Sequence, residues 1–292
     1  MICSAVVPVA GIGTRLLPLT KSQPKELLPV GRKPVVQHIA EELRAAGIEN
    51  VLFVTSKRKT AIENHFDRDP ELIGAMEGDD KQKLIPLMDS ESLGLRLFYT
   101  RQARRLGLGH AVGFARAFAA GEPFVVALGD TIVHSDRSPN VITRLIECPE
   151  EKNASCVIAL QEVSGKDVSR YGIVKPADGE DGGVFRISDL VEKPPVGSAP
   201  SNLAIAARYV LSAEIFDAIA DTGPGAGGEI QLTDAIRLLL KEGGKVYGVR
   251  MNPTDRRYDI GTFETYFKCF ADYALADEEC GEHLKDYLRQ RL

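Results

Sequence analysis

The sequence predicts an α/β protein whose central sheet is mostly parallel and flanked by helices. Three observations support this fold class. Short valine-rich runs alternate with amphipathic segments, glycine and proline separate the two kinds, and 292 residues suffice for a large core. Such alternation is typical of right-handed strand–helix–strand units. Because no internal repeat or linker divides the chain, we expect a single domain over residues 1–292.

Four apolar runs in the first half of the chain predict the parallel strands. They are residues 2–9, 50–55, 95–100 and 123–128. Helical patterns fill the intervals between these runs. The predicted helices are one opened by Pro34 and closed by Gly47, residues 57–66, a broken charged helix over 70–92, and residues 110–120.

The second half of the chain is less regular. Its predicted strands are residues 155–162, 203–211 and 246–250, with short antiparallel pieces at 171–176, 183–187 and 189–192. Ser212 is predicted to cap a helix, and residues 229–241 form an amphipathic one. The last 30 residues are predicted to be helical because aromatic residues recur there at helical spacing.

Composition excludes two classes of partner. Lys plus Arg number 36 and Asp plus Glu number 41, so the net charge is −5. Because a phosphate backbone requires a basic field, we expect no nucleic-acid partner. No apolar run approaches the roughly 18 residues of a membrane span, and no basic segment precedes the N-terminal apolar run. We therefore expect no membrane partner and no signal peptide.

The cysteines and histidines indicate the compartment. The five cysteines include no Cys-x-x-Cys pair, which is typical of scattered reduced thiols in a cytosolic protein. The five histidines lie far apart and show no metal-ligand spacing. We therefore expect a cytoplasmic protein without a histidine metal site.

The loop after the first strand concentrates positive charge. Residues 11–33 contain five bases and one acid, so this segment carries +4 and the remaining chain −9. The loop follows the end of the first strand and should therefore lie at the carboxyl edge of the parallel sheet, where α/β proteins bind ligands. Glycine allows backbone N–H groups to approach a phosphate, and fixed cations neutralise it. The segment predicts a site for a small polyanion, with a solvated basic loop as the alternative.

The same loop does not match two common nucleotide motifs. Gly11 and Gly13 begin a Gly-x-Gly-x-x-Gly pattern, but Leu16 stands at its third glycine and Pro18 follows in place of a helix. The second strand ends in Thr55-Ser56, where a ribose-binding acid is expected. A Gly-Lys-Ser/Thr step is also absent from the sequence. These departures weigh against a nicotinamide-dependent oxidoreductase and a P-loop protein.

Short motifs follow one another along nearly the whole chain. The first two are residues 9–18, Val-Ala-Gly-Ile-Gly-Thr-Arg-Leu-Leu-Pro, and residues 24–30, Pro-Lys-Glu-Leu-Leu-Pro-Val. Later ones are Gly-Leu-Gly-His-Ala-Val at 107–112, Ser-Arg-Tyr-Gly-Ile-Val at 169–174, Val-Glu-Lys-Pro at 191–194, Gly-Glu-Ile-Gln-Leu-Thr-Asp-Ala at 228–235 and Tyr-Asp-Ile-Gly at 258–261. Each motif is weak alone, but together and in this order they resemble those of sugar-1-phosphate nucleotidyltransferases, and in particular the bacterial uridylyltransferases of that family.

The resemblance implies a fold and a reaction. The fold would be a Rossmann-like sheet with a small antiparallel sugar-binding insertion and a helical C-terminus. Residues 1–135 would form the nucleotide half, 136–260 the sugar half and 261–292 the terminal helices. The reaction would be Mg²⁺-dependent transfer of UMP from UTP to glucose 1-phosphate, which gives UDP-glucose and pyrophosphate. Family members also lead us to expect a homo-oligomer, either a dimer or a tetramer.

Two aspartates are the expected metal ligands. Asp130 follows an apolar strand, so its carboxylate should project at the carboxyl edge of the sheet. Carboxylate oxygens suit Mg²⁺ that is shared with phosphates. Asp259 is the second candidate, with an ion pair to Arg256 or Arg257 as the alternative.

The remaining site residues follow from the matched motifs. The residues expected to stabilise charge are Arg15, Lys25 and Lys193. The residues expected to bind the nucleotide are Ala10, Gly11, Gly13, Thr14, Gln102 and Gly107. The residues expected to bind the sugar phosphate are Gly172, Glu192 and Lys193. Since adjacent residues of a strand face opposite ways, Glu192 and Lys193 are expected to reach different groups, with a simple exposed ion pair between them as the alternative.

Two departures from the family pattern leave the substrate choice open. Many bacterial members have Leu-Ala-Asp at the metal strand, whereas Leu128-Gly129-Asp130 here is familiar from thymidylyltransferases. Ala207 stands where relatives usually have glycine, beside the expected sugar pocket. A thymidylyltransferase and a non-catalytic binder of nucleotide sugars are therefore the alternatives to a uridylyltransferase.

Overall fold

The computed structural model describes residues 2–75, 93–148, 154–177 and 182–291. Its strands are β1 (Ser4–Pro8), β2 (Pro29–Val30), β3 (Lys33–Pro34), β4 (Asn50–Thr55), β5 (Arg96–Arg101), β6 (Phe124–Ala127), β7 (Thr131–His134), β8 (Cys156–Glu162), β9 (Gly172–Pro176), β10 (Val184–Glu192), β11 (Leu203–Leu211), β12 (Val246–Arg250) and β13 (Arg256–Asp259). Its helices are α1 (Val35–Ala45), α2 (Thr60–Phe66), α3 (Pro70–Gly74), α4 (Leu108–Gly113), α5 (Arg116–Ala119), α6 (Val141–Ile146), α7 (Ile215–Asp221), α8 (Leu232–Lys241), α9 (Phe263–Leu275) and α10 (Gly281–Arg289).

One nine-stranded sheet organises the chain, in the order β5-β4-β1-β6-β11-β8-β12-β10-β9. The first four of these strands are parallel, as the alternating pattern predicts. Beyond β6 the sheet is mixed, because β11 runs antiparallel to β6 and β8, while β12 runs parallel to β8. The predicted α/β class is confirmed, with the parallel order concentrated in the N-terminal half.

Helices cover both faces of this sheet. Along β1, Ala5 and Val7 pack into the core beneath α1, α2, α6 and α9, whereas Val6 packs into the core beneath α4, α7 and α8. All three side chains are fully buried. A parallel strand covered on both faces reads as a continuous apolar run, which explains the sequence of residues 4–9.

A two-stranded ribbon brings the two predicted metal ligands together. β7 begins directly after Asp130, and β13 ends at Asp259. The two strands are antiparallel, with Asp259 opposite Thr131, and the backbone N–H of Ile260 donates to the carbonyl of Asp130 (2.8 Å). A contact between segments far apart in the chain is thereby fixed by backbone pairing.

Several element boundaries differ from the sequence prediction. The two short pieces at 183–187 and 189–192 are one strand, β10, with a shift of register between Ile187 and Asp189. The predicted helix over 110–120 is divided into α4 and α5, because Phe114 donates to the carbonyl of Ala111 and tightens the turn. Ser212 does not cap α7: its hydroxyl contacts Glu214, which occupies the cap position.

The terminal regions follow the prediction in outline. Two helices, α9 and α10, occupy most of the last 30 residues. Of the predicted charged helix over 70–92, α3 is formed, and residues 76–92 lie outside the described residues. Within the described residues, no helix is long and apolar enough to cross a membrane.

Candidate active site

A two-lobed cleft lies at the carboxyl edge of the parallel strands. The glycine-loop lobe has a volume of about 540 Å³ and is lined by residues 10–15, Lys25, Gln102 and Gly107. The Tyr171 lobe has a volume of about 550 Å³ and is lined by Tyr171, Gly172, Glu192, Lys193 and Asp259, among others. Arg15, Leu108, Leu128, Asp130 and Glu229 line both lobes, so the two lobes meet there.

The loop after β1 presents its backbone to the glycine-loop lobe. Gly13 has φ +76°, a conformation that side chains disfavour, and precedes the 3₁₀ turn Thr14–Leu16. Thr20 donates from its hydroxyl to the carbonyl of Gly13 (2.7 Å), which fixes the loop. A Cβ on Gly11 would lie 3.8 Å from Cε of Lys25, so the lysine stem runs along the loop.

Lys25 and Asp130 form an ion pair at the junction of the lobes. Burial alone would lower the pKa of Lys25, but the charges of Asp130 and Glu26 hold it above its usual value. Burial would likewise raise the pKa of Asp130, but the charge and the hydrogen bond of Lys25 lower it. Both groups are therefore charged at neutral pH, with the Asp130 side chain 27% exposed to the cleft.

Asp259 and Arg15 complete the junction. A Cβ on Gly261 would lie 2.7 Å from Oδ1 of Asp259 and 3.0 Å from Nη2 of Arg15, so both side chains lie over this glycine. Burial, followed by the negative charge of Asp130, raises the pKa of Asp259. The alternative of an ion pair to Arg256 or Arg257 is not formed in the described residues; the ion-pair partner of Asp259 is Arg170, at 4.0 Å.

The donor set at the junction fits a divalent cation shared with a phosphate. Asp130 and Asp259 supply hard oxygen atoms and repel one another, which a cation would relieve. The described residues contain no group of three or more His, Cys, Asp or Glu side chains arranged for a metal. Two carboxylates suit a metal such as Mg²⁺, which keeps several positions for phosphate oxygens and water.

Gln102 lies at the end of β5 and is 4% exposed, so it is not a solvated strand-end amide. Its Nε2 donates to the carbonyl of Gly107 (3.1 Å) and to Nδ1 of His110 (2.9 Å). Both N–H groups are thereby used within the chain, and Oε1 has no protein donor among the described residues. The side chain therefore offers an acceptor to the glycine-loop lobe.

Gly107 allows a close approach of two segments at the same lobe. It has φ +104°, and a Cβ there would lie 2.6 Å from the carbonyl oxygen of Ile230. The backbone of Ile230 also donates to Leu106 and accepts from Gly109. Only glycine fits this contact, which joins the start of α4 to the segment before α8.

The Tyr171 lobe is built from charged side chains. Thr233 donates to Oε2 of Glu192 (2.7 Å), and Nζ of Lys193 lies 3.1 Å from Oε1 of the same carboxylate. The expectation that Glu192 and Lys193 face opposite ways is wrong, because Lys193 has φ +44° and leaves the extended conformation. A Cβ on Gly172 would lie 3.2 Å from Glu192, so the absence of a side chain opens the wall there.

Sequence reasoning missed two arginines. Arg257 lies over the ring of Tyr171, 4.1 Å from its centroid, and donates to the carbonyl of Ile205 (2.9 Å). Arg208 is fully buried, pairs with Glu42 and donates to the carbonyl of Thr131 (2.9 Å), next to Asp130. Neither residue lies in a motif that marks a site, since both contacts join distant segments.

The structure gives a reason for Gly129 and shows backbone strain at Ala207, the two departures from the family pattern. A Cβ on Gly129 would lie 2.3 Å from Cγ1 of Val9, so alanine does not fit beside this valine. Ala207 has φ +62°, the left-handed conformation that glycine adopts at least cost, and it interrupts the pairing of β11 with β8. Ala207 also lines the Tyr171 lobe.

All of the site residues expected from the motifs line this one cleft, although their individual roles stay predictions. A glycine loop and a pair of acids at the edge of a Rossmann-like sheet are the features of enzymes that transfer nucleotides between phosphates. A family model described as "Nucleotidyl transferase" matches residues 4–275, and the chain belongs to this family. The resemblance seen in the motifs is thereby confirmed.

Similar proteins agree with this assignment. The chain is 45% identical to "UTP--glucose-1-phosphate uridylyltransferase 2" of Staphylococcus saprophyticus, over 98% of this chain and 96% of that one. Among solved structures, a UTP-bound UGPase from Acinetobacter baumannii has a TM-score of 0.88 at 36% identity and 99% coverage of both chains. A UDP-glucose pyrophosphorylase complexed with UDP-glucose has a TM-score of 0.83 at 34% identity, covering 94% of this chain and 98% of that chain.

Proposed function

We propose that this protein transfers UMP from UTP to glucose 1-phosphate and releases pyrophosphate. The observation that carries the proposal is the junction of the cleft, where Arg15 and Asp130 line both lobes. A nucleotide in one lobe and a sugar phosphate in the other would meet at these two residues. The relatives named for the same reaction, at 45% identity over nearly the full chain, support this choice of substrates.

The glycine-loop lobe suits the nucleotide. The backbone of Gly11, Gly13 and Thr14 faces the lobe and offers N–H groups to the triphosphate. The free Oε1 of Gln102 accepts a hydrogen bond from N3–H of uracil, whereas the N3 of cytosine offers no proton there. Ala10 and Gly107 form the wall against which the base packs.

The Tyr171 lobe suits glucose 1-phosphate. Glu192 is held by Thr233 and accepts hydrogen bonds from sugar hydroxyls, and the opening at Gly172 leaves room for the ring. Lys193 is half-exposed and binds the phosphate of the sugar. Its ion pair with Glu192 keeps the cation at the lobe until the phosphate arrives.

The chemistry is an in-line displacement at the α-phosphorus. An oxygen of the sugar phosphate forms a bond to this phosphorus while the bond to the β-phosphate oxygen breaks, and pyrophosphate leaves with the electron pair. The attacking oxygen is already an anion, so no strong base is required. Lys25 and Arg15 hold the reactants in line and stabilise the negative charge that develops.

Enzymes of this family generally use a divalent metal ion, and we propose Mg²⁺ for this one. Asp130 and Asp259 would hold it at the junction. When bound, Mg²⁺ supplies charge neutralisation on the phosphate oxygens. Lys25, which pairs with Asp130, would contact the α-phosphate.

Substitution at the junction tests the reaction. We expect pyrophosphate release from UTP and glucose 1-phosphate to fall by about 10²–10³-fold in Asp130→Ala and in Lys25→Ala. Asp136→Ala is the matched control, because Asp136 follows the other end of β7, pairs with His134 and lines neither lobe. Circular dichroism checks that each variant is folded.

Full activity in both junction variants would contradict the mechanism. Binding of UDP-glucose by calorimetry without any pyrophosphate release in the wild type would instead support the non-catalytic binder.

We also propose a homo-oligomer, either a dimer or a tetramer. Phe267 and Phe270 on α9 are 59% and 40% exposed, and Tyr287 on α10 is 51% exposed. Phe267 and Phe270 lie three residues apart on α9, and single-chain proteins seldom expose large contiguous apolar patches. Light scattering of the purified protein measures the mass directly.

The cytoplasmic location expected from the cysteines also stays a prediction.

A further inference from the structure

A third cavity, of about 310 Å³, adjoins the glycine-loop lobe. The two cavities share Ala10, Gly11, Ile12 and Arg105 in their lining. The third one extends along residues 20–24 and reaches the turn between β4 and α2. We refer to the cavity lined by Lys21, Arg58, Lys59 and Arg105 as the Lys21 annex.

Among the described residues, every charged side chain that lines the Lys21 annex is a cation. Four cations line it and no carboxylate of the described residues does. Lys59 is buried and forms an ion pair with Glu26, which lines the adjoining glycine-loop lobe. Lys21, Arg58 and Arg105 are exposed, and none of them forms an ion pair with another described residue. Three positive charges therefore face the annex without a counterion from the described part of the chain.

Other exposed cations of the molecule are commonly paired. Arg96 contacts Glu49, Lys268 contacts Glu264, and Arg289 contacts Asp286, all at hydrogen-bonding distance. The net charge of the chain is −5, so acids are available in excess. A concave surface that gathers three cations and excludes acids attracts anions from solution.

The annex also occupies the position in the fold where ligands bind. Arg58 follows β4, Arg105 follows β5, and the loop with Gly11 follows β1. These three strands are adjacent and parallel, so their carboxyl ends meet at one edge of the sheet. Lys21 comes to the same place on the 3₁₀ turn Leu19–Lys21, which the bond from Thr20 to Gly13 anchors.

From this arrangement we infer that the Lys21 annex binds a second phosphate-bearing anion beside the nucleotide. Arginine and lysine side chains from three segments suit the several oxygen atoms of a phosphate group. The anion could be the pyrophosphate of the reaction or a separate phosphorylated metabolite that acts on the enzyme. Only the first of these two sources rests on the proposed function.

Direct binding tests the annex without reference to turnover. Calorimetry follows the binding of inorganic phosphate and of methylenediphosphonate, a pyrophosphate analogue that cannot be cleaved. Each is titrated into the protein alone and into the protein saturated with UDP-glucose, which fills the main cleft. The test variant is Lys21→Ala/Arg58→Ala, because these residues line the annex and neither lobe of the cleft.

The matched control is Lys57→Ala/Arg104→Ala. Lys57 and Arg104 are the exposed neighbours of Arg58 and Arg105, form no ion pair with a described residue, and line none of the three cavities. Both double variants lose two positive charges, so a difference between them reports position and not net charge.

We expect saturable binding to the wild type, a loss of about tenfold or more in affinity in Lys21→Ala/Arg58→Ala, and a change of less than about twofold in the control. Absence of saturable binding to the wild type, or equal affinity in the two double variants, would overturn the annex as an anion site. Because this result does not depend on catalysis, it can fail or succeed independently of the proposed reaction.

Kinetics then separate the two sources of the anion. If the annex receives pyrophosphate, the KM for pyrophosphate in the reverse reaction rises in Lys21→Ala/Arg58→Ala, while the KM for UDP-glucose does not change. If the annex binds a separate effector, the KM for pyrophosphate is unchanged, and the effect of added phosphate on the forward rate disappears in this variant alone.

Discussion

The two lobes of the cleft are built in different ways. In the glycine-loop lobe, glycines hold backbone segments at close contacts, such as Gly107 against Ile230. The Tyr171 lobe consists mainly of charged and polar side chains, such as Glu192 with Thr233 and Arg257 over Tyr171. A triphosphate can be bound by N–H groups of any residue, whereas sugar hydroxyls require placed side chains. Steric change at these glycines should therefore impair the first lobe, and loss of charge at Glu192 the second.

Among the tests of this comparison, the largest expected effect comes from filling the contact at Gly107. In Gly107→Ala the new Cβ would overlap the carbonyl of Ile230, so α4 and the base wall must move apart. We expect kcat/KM for UTP to fall by about 100-fold, because small displacements of a binding wall are costly for catalysis. The KM for glucose 1-phosphate should stay within about twofold of the wild type, as measured by initial rates.

The control for this variant is Gly121→Ala. Gly121 also has a positive φ, +89°, but no atom of the described residues lies within 4 Å of the position that a Cβ would occupy there. It therefore shares the backbone strain of Gly107→Ala without the overlap. An equal loss of kcat/KM in the two variants would show that backbone strain causes the effect and would contradict the steric explanation.

A second steric test concerns Gly129 beside Asp130. Gly129→Ala should lower the free energy of unfolding by about 1–3 kcal/mol, because the Cβ would overlap Val9. In Val9→Ala/Gly129→Ala the overlap with Val9 is removed, but the Cβ still lies 2.9 Å from the carbonyl oxygen of Pro8 and the buried Val9 side chain is lost. The loss in the double variant should therefore be smaller than the sum of the losses in the two single variants. Urea unfolding measures all three, and strictly additive losses would show that the two positions are not coupled.

In the Tyr171 lobe, loss of charge should matter more than loss of volume. Glu192→Gln retains the shape of the side chain but removes the charge that pairs with Lys193 and accepts from Thr233. We expect the KM for glucose 1-phosphate to rise about tenfold, with the KM for UTP unchanged. The neighbouring Val191→Ala, which loses volume and not charge, should change either constant less. An equal rise in both KM values would mean that the lobes do not bind separate substrates.

The smallest expected effect is a gain in stability from Asp259→Asn without metal. Burial and the charge of Asp130 raise the pKa of Asp259, so its ionisation destabilises the fold as the pH rises through the ordinary aspartate pKa of about 3.9 toward the raised value. The gain should be present at pH 7 and should shrink toward about pH 4, near that ordinary pKa. Urea unfolding in EDTA at the two pH values, with the exposed Asp136→Asn as control, measures it. A gain that is larger at the lower pH would contradict this sign.

The parts that could be predicted from the sequence are those fixed by local pattern. Buried parallel strands such as β1 and β4 are visible in the sequence as apolar runs. The loop after β1 carries its glycines and cations in one short motif. The site residues of the glycine-loop lobe lie mostly within such a motif. For this reason the first half of the chain agrees closely with its sequence prediction.

The parts that could not be predicted depend on pairing between distant segments. The β7–β13 ribbon, which places Asp259 beside Asp130, has no signal in either strand alone. The buried pair of Arg208 with Glu42 joins residues 166 positions apart, and a fully buried arginine contradicts the usual rule for charged residues. The alternation of side chains along β10 also predicted the wrong direction for the side chain of Lys193. The positive φ of this residue turns the side chain toward Glu192.

We propose that one lobe selects UTP and the other glucose 1-phosphate. A panel of UTP, dTTP, CTP and ATP, each with glucose 1-phosphate and Mg²⁺, measures this most directly as kcat/KM for pyrophosphate release. We predict that UTP exceeds dTTP by about tenfold or more, and that CTP is used least among the pyrimidines because Gln102 offers an acceptor. Turnover of dTTP that equals or exceeds that of UTP would contradict the claim and identify a thymidylyltransferase.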